Sequence, residues 1–214
     1  MTDEPSQARF GHRIELAATL LLALAAVGTA WSTYQSARWH GKQAKAQSAS
    51  IAARVESTRQ ASVANRRIQV DVALFTQWVD AYARKETSLA AFYRKRFRPE
   101  FVPAFNAWVA TKPLKNPNAP LSPFALPQYK LASSAKADRL ETRAGAFSTV
   151  VARNIQRADN YSLAVVLFAL SLFFAAITTR LHGYRPRLAI LGLGYVLFLG
   201  TAIWLATLPV SVSV

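Results

Sequence analysis

The sequence predicts an all-α membrane protein: three transmembrane helices carrying a long antiparallel helical-hairpin extramembrane domain. Three observations predict it. Apolar residues make up 52% of the 214-residue chain, yet they concentrate in three uncharged blocks near its two ends. Between the first two blocks lies a basic segment, 37–160, with 21 Lys/Arg against eight Asp/Glu. Within that segment two long stretches repeat apolar residues at spacings of four and three, the period of a helix face. Only 17% of the chain is charged, so a formal charge of +15 does not imply disorder, which needs low hydrophobicity as well. The absence of Cys removes disulfides, thiolate metal sites and cysteine nucleophiles.

The elements follow in order. Residues 1–15 form a tail with Arg9 and Arg13. Residues 16–36 form the first span; the uncharged run 16–34 would make a helix of roughly 28 Å, close to the hydrocarbon thickness. Trp31, Tyr34 and Trp39 gather at its far end, where amphipathic rings favour the headgroup layer. The same run also reads as a secretory signal peptide cut after Gly28-Thr29-Ala30. The aromatic stretch that follows suits a helix meeting an interface better than a cleavage site. Residues 161–180 form the second span, entered at Tyr161 and left at Arg180, and residues 188–209 the third, with Trp204 near its end. None of the three cores holds an acidic, basic or His residue, which argues against proton relays, voltage sensors and ion-coupled carriers.

The loop 181–187 contains Arg185 and Arg187 just after Arg180, and short basic loops stay cytoplasmic. The N-terminus is then cytoplasmic, the uncharged tail 210–214 lies on the opposite face, and residues 37–160 are periplasmic. The basic residues flanking that segment (Arg38, Lys42, Lys45, Arg153 and Arg157) pull the other way, although long loops cross largely regardless of charge.

In the central segment, residues 43–84 lack Pro and Gly, and Ile68, Val72, Phe75, Val79 and Tyr82 form a coiled-coil-like stripe. Thr87 or Ser88 is placed to cap a short helix. Pro99 and Pro103 break it, and a further helix is expected from about Pro103 to Thr111. Residues 112–127 hold five Pro in sixteen positions and form a stiff turn, on which Leu121, Phe124 and Leu126 are expected to pack inward. From 128 to 160 the helix signal returns, with Leu140, Ala144, Phe147, Val151, Ile155 and Ala158 as the matching stripe. Two stripes, one leaving the membrane and one returning, close most simply as an antiparallel hairpin.

Three stretches carry a resemblance: Trp31-Ser-Thr-Tyr34-Gln-Ser-Ala-Arg38-Trp39-His-Gly41, Phe92-Tyr-Arg-Lys-Arg-Phe-Arg-Pro-Glu-Phe101 and Ser122-Pro-Phe-Ala-Leu-Pro-Gln-Tyr129. With them, nearly the whole chain resembles a family of uncharacterised bacterial three-span inner-membrane proteins. The resemblance implies a bacterial inner-membrane location, assigns no activity and transfers no functional residue.

The sharpest local feature is Arg94, Lys95, Arg96 and Arg98 around Phe97. Four cations beside one aromatic suit anionic lipid headgroups or an acidic polymer; equally, their stems could cover the aromatic cap while the charges face water. An outward domain argues against nucleic acid. His12, His40 and His182 lie at three separate membrane flanks, and no acid stands at metal-ligand spacing from a His, so neither a metal nor a cofactor is expected. Asp71 and Asp80 are expected to pair with Arg67 and Arg84 at helical spacing. No phosphate loop or nucleophile elbow occurs, so no catalytic residue is expected. The aromatic set Phe75, Trp78, Tyr82, Phe92, Tyr93, Phe97, Phe101, Phe105 and Trp108 is expected to form the domain core, with a ligand pocket as the other reading.

Trp31, Tyr34, Trp39, Tyr161, Arg180, Arg185, Arg187 and Trp204 are the expected membrane-interface anchors. Gly192, Gly194 and Gly200 permit close helix approach, and a homo-oligomer or larger membrane complex in the lipid bilayer is the expected assembly. The chain thus reads as a non-catalytic, oligomeric scaffold or interaction subunit. The alternatives are an oligomeric pore lined by Thr19, Ser171, Thr178 and Thr201, and a membrane-anchored ligand sensor acting through a partner.

Overall fold

The computed structural model describes residues 4–113, 115–181 and 183–211, with side chains from residue 12 onward. His182 and residues 212–214 of the C-terminal tail lie outside the described residues. Five α-helices and one 3-10 turn are present, with no strand among the described residues. They are α1 (Glu4–Ala83), α2 (Thr87–Arg94), α3 (Val102–Ala110), the 3-10 turn Pro123–Ala125, α4 (Ala132–Thr178) and α5 (Tyr184–Ala206). Three of them, α1, α4 and α5, are long and apolar enough to cross a membrane.

The chain divides into two compact units: Met1–Ser48 with Ser148–Val214, and Ala49–Phe147. The first unit holds the apolar parts of α1 and α4 together with α5. Its buried positions on α1 are Ile14, Ala18, Leu21, Ala25, Ser32, Gln35, Ser36, Trp39 and Ala46, spaced mostly by three and four. On α4 they include Val151, Asn154, Ala158, Tyr161, Phe168, Ser171, Ala175 and Thr178. Helices approach closely where side chains are small. A Cβ on Gly28 would sit 2.8 Å from the buried Phe168 ring, and one on Gly194 would sit 3.1 Å from Leu21 and 3.3 Å from Phe174. Gly192 and Gly200, by contrast, have open space where a Cβ would go. Polar side chains tie the helices: Ser36 donates to the Ala158 carbonyl (3.2 Å) and meets Ser162 (3.0 Å), and Tyr195 donates to the Ala17 carbonyl (2.9 Å). Beyond α5 the chain is held by Gln35, whose amide oxygen accepts from the Ser211 N–H at 2.9 Å.

In the second unit α1 and α4 meet through small residues. Ser50 donates to the Ala144 carbonyl at 3.0 Å and Ser57 to the Ala137 carbonyl at 2.8 Å, so seven residues forward on α1 answer to seven back on α4. The buried line on α1 is Ser50, Ala53, Ser57, Ala64, Asp71 and, near the helix end, Ala81. This corrects the expected stripe: Val72, Val79 and Tyr82 are exposed, and on α4 Asn154 is buried while Ile155 is exposed. Ala and Ser allow the backbones close enough for a hydroxyl to reach the opposite carbonyl; a line of β-branched residues would hold them apart.

α1 ends at a Schellman turn, in which Lys85 N–H bonds the Tyr82 carbonyl and Glu86 N–H the Ala81 carbonyl. Lys85 occupies the left-handed position with φ 60, where glycine is usual. α2 then starts with Glu86 as its N-cap and no side-chain cap, so Thr87 lies inside the helix instead of capping it. Pro103 falls in the first turn of α3. In the Pro-rich turn Phe124 packs on the core, whereas Leu121 is 99% exposed, contrary to expectation.

Candidate functional site

The second unit is organised around an aromatic core of Phe97, Phe101 and Phe105, packed by Leu74, Phe75, Trp78, Val102, Phe124 and Tyr129. Phe75 stands edge-on to Trp108 (5.2 Å between ring centres) and Phe124 (5.6 Å). Edge-to-face contacts of this kind contribute about 0.5–1.5 kcal/mol each beyond burial. Beside this core α1 carries a buried acid. Asp71 is fully buried and accepts from Arg98 Nη2 (2.7 Å), Arg98 Nε (2.9 Å) and the Tyr129 hydroxyl (2.8 Å). Arg98 extends the network to Glu100 at 2.7 Å, and Arg67 reaches Glu100 at 3.3 Å.

The expected Asp71–Arg67 pair is therefore replaced by pairs across the turn, although Asp80–Arg84 forms as expected at 3.1 Å. The hydrogen bond to Asp71 holds the Arg98 guanidinium protonated well above its ordinary range. Burial, and then the bond to Asp71, pushes the Tyr129 phenol above its ordinary range. With every group of this network partnered, it reads as a buried clamp that fixes α1, the segment after α2 and the chain before α4.

On one side of this core lies a cavity of about 500 Å³, lined by Trp78, Val79, Tyr82, Arg94, Phe105, Trp108, Val109, Lys112, Pro113 and Lys115. Its walls are aromatic. Trp78 stacks with Tyr82 (5.1 Å) and meets Phe105 edge-on (4.8 Å). Trp108 is fixed by its indole N–H, which donates to the Pro120 carbonyl at 2.7 Å, so the Pro-rich turn positions one wall of the cavity. Three cations complete the lining, and among the described residues no carboxylate lies within ion-pair distance of Arg94, Lys112 or Lys115. Arg94 lies 5.7 Å from the centre of the Phe105 ring and donates to Asn106 Oδ1 at 3.4 Å.

Lys112 is held with φ 53 just past the end of α3, a conformation that costs a non-glycine residue roughly 1–2 kcal/mol. Its carbonyl accepts from Lys115 N–H (2.8 Å) and Asn116 N–H (3.0 Å), which closes a turn between the two lysines.

The basic patch anticipated from the sequence is thus dispersed. Arg94 lines the cavity; Arg96 stacks on Phe92 at 3.3 Å and donates to its carbonyl; Arg98 is bound to Asp71 and Glu100; Lys95 is exposed at the end of α2. The two lysines of the cavity carry no signal in the sequence beyond a Pro-rich context.

The expected interface anchors also divide. Trp31 and Tyr34 are exposed and lie 6.0 Å apart, and Arg180 and Arg185 are exposed. Arg187 turns back to donate to the Thr178 carbonyl at the end of α4, and Trp204 is half-buried. Trp39 and Tyr161 are buried with Ala158, and Lys42 and Arg157 lie over the Trp39 ring at 4.6 and 4.5 Å. Inter-helix packing has taken these two rings from the surface. Ser171, Thr178 and Thr201 are buried and donate to carbonyls four residues back on their own helices, while Thr19 does so from an exposed position. Among the described residues no group of three His, Asp or Glu is placed to hold a metal.

The arrangement defines a class: an all-helical chain with three helices of membrane-spanning length and an aromatic, cation-lined cavity in its second unit. No family model, curated protein or solved structure matches it.

Proposed function

We propose that the chain is a non-catalytic, integral membrane protein of the bacterial inner membrane whose helical domain binds a ligand and passes the event to a partner. The observation that carries this reading is the cavity between Trp78 and Trp108. Its volume falls in the range of about 300–1,000 Å³ of small-molecule sites, and an aromatic lining with a few convergent polar groups is their usual chemistry.

In this reading residues 16–36, 161–180 and 188–209 cross the bilayer, supported by the length and composition of α1, α4 and α5. Residues 37–160 form an antiparallel helical hairpin, supported by the Ser50–Ala144 and Ser57–Ala137 register. The basic loop 181–187 supports a cytoplasmic N-terminus and an outward domain. Assembly as a homo-oligomer or with a larger membrane complex would provide the partner.

A ligand screen by thermal shift on the full chain tests the binding step. At least one compound class should raise the melting temperature of the native chain and fail on Val79→Arg, which fills the cavity from an exposed wall. A library that moves neither leaves no ligand-binding role and returns the chain to a scaffold. Orientation is tested separately with a membrane-impermeant maleimide on intact cells. Leu121→Cys should label and Tyr184→Cys should not; labelling of Leu121→Cys only after lysis would reverse the topology.

A further inference from the structure

We infer that the cavity is built for a free organic anion with a flat apolar body, its charged head held by Arg94, Lys112 and Lys115. This rests on the ligand-binding reading above and names the class of ligand. Three features of the site point to it together. The walls are the faces and edges of Trp78, Tyr82, Phe105 and Trp108, which take a planar apolar group through offset and edge contacts. The cations all belong to the lining, and among the described residues none has a carboxylate partner, whereas Asp71, Asp80 and Glu100 nearby are each matched to an arginine.

The positions of the lysines are also specified by backbone rather than left to chance. Lys112 is one of two described non-glycine residues with positive φ, and the turn it closes through the Lys115 and Asn116 N–H groups ties both lysines to the end of α3. Backbone strain is retained where surrounding structure over-determines it, commonly at ligand clamps. A head carrying carboxylate or phosphate oxygens supplies the negative charge that this guanidinium and these two ammonium groups are not paired with among the described residues, Arg94 meeting only the neutral Asn106 amide oxygen. A purely apolar ligand would leave those cations unused, and a small inorganic anion would leave the aromatic walls unused.

The test uses the full chain in nanodiscs of zwitterionic phosphatidylcholine, titrated with pyrenecarboxylate, uncharged pyrenemethanol and acetate by calorimetry. Pyrenecarboxylate should bind saturably, more weakly as salt rises. Pyrenemethanol should bind about tenfold or more weakly, a difference of one charge contact, and acetate should show no binding. Lys112→Glu with Lys115→Glu should weaken pyrenecarboxylate binding about tenfold without changing the melting temperature, since both side chains are exposed. Arg94→Gln should weaken it in the same direction.

Equal binding of the acid and the alcohol, or an unchanged affinity in the charge-reversed variant, would overturn the anion assignment while leaving the cavity a ligand site. Binding of neither pyrene compound would remove the ligand-binding reading as well. Affinity should also persist in nanodiscs containing phosphatidylglycerol. Its loss there would assign the three cations to lipid headgroups and overturn the proposal.

Discussion

Asp71 shows how a single side chain can hold together segments far apart in sequence. It continues the buried line of Ser50, Ala53, Ser57 and Ala64 on α1, is fully buried, and accepts three hydrogen bonds from Arg98 and Tyr129. Removing one member of a buried ion pair leaves the other uncompensated, so Arg98→Ala should destabilise the fold by about 3–5 kcal/mol; chemical denaturation of the purified chain measures it. Tyr129 adds a pH signature. Its phenol is raised above the ordinary value of 10, so between that value and its own the folded chain keeps a proton that the unfolded chain releases. Stability from this residue is complete below pH 10 and falls as pH rises beyond it. Thermal melts between pH 9 and 11.5 should show a steeper decline for the native chain than for Tyr129→Phe. Lys85 gives a change of opposite sign: it is held with φ 60 at the end of α1, so Lys85→Gly should raise stability by about 1 kcal/mol.

At the scale of elements, the small-residue lines decide how α1 meets α4. Ala53 is buried on that line and Val55, two residues on, is exposed. Ala53→Leu should force the helices apart at a cost of about 1–3 kcal/mol, whereas Val55→Ser should stay within about 0.5 kcal/mol. A search for large apolar residues at spacings of three and four ranks these two positions the wrong way round. The period was legible in the sequence and the phase was not, because Ala and Ser carry little hydropathy and are buried for their size. In the first unit Gly28 plays the same part against Phe168. Gly28→Val should lower the melting temperature of the detergent-extracted chain, while Gly200→Val, with open space at its Cβ, should leave it nearly unchanged.

For the whole molecule, the helical class and the three membrane-length helices were legible, because uncharged runs of about 20 residues are a direct consequence of bilayer thickness. The chain should therefore remain in the membrane fraction through an alkaline carbonate wash; release would exclude integral insertion. The candidate site was legible in parts. The aromatic set that lines it was visible, and so was Arg94, but Lys112 and Lys115 lay in a Pro-rich stretch whose path cannot be read from composition.

By itself the sequence determined the helical class, the number of membrane-length segments and the place of the Pro-rich turn. Each of these is written in residue type over a short window: charge-free length, helical period, proline density. Only the tertiary structure decided that Arg98 belongs to Asp71, that Trp39 and Tyr161 are buried, and that Arg94, Lys112 and Lys115 line one cavity. Those outcomes depend on which backbones approach each other closely enough to leave one group paired and another open, and no local pattern of residues carries that distance.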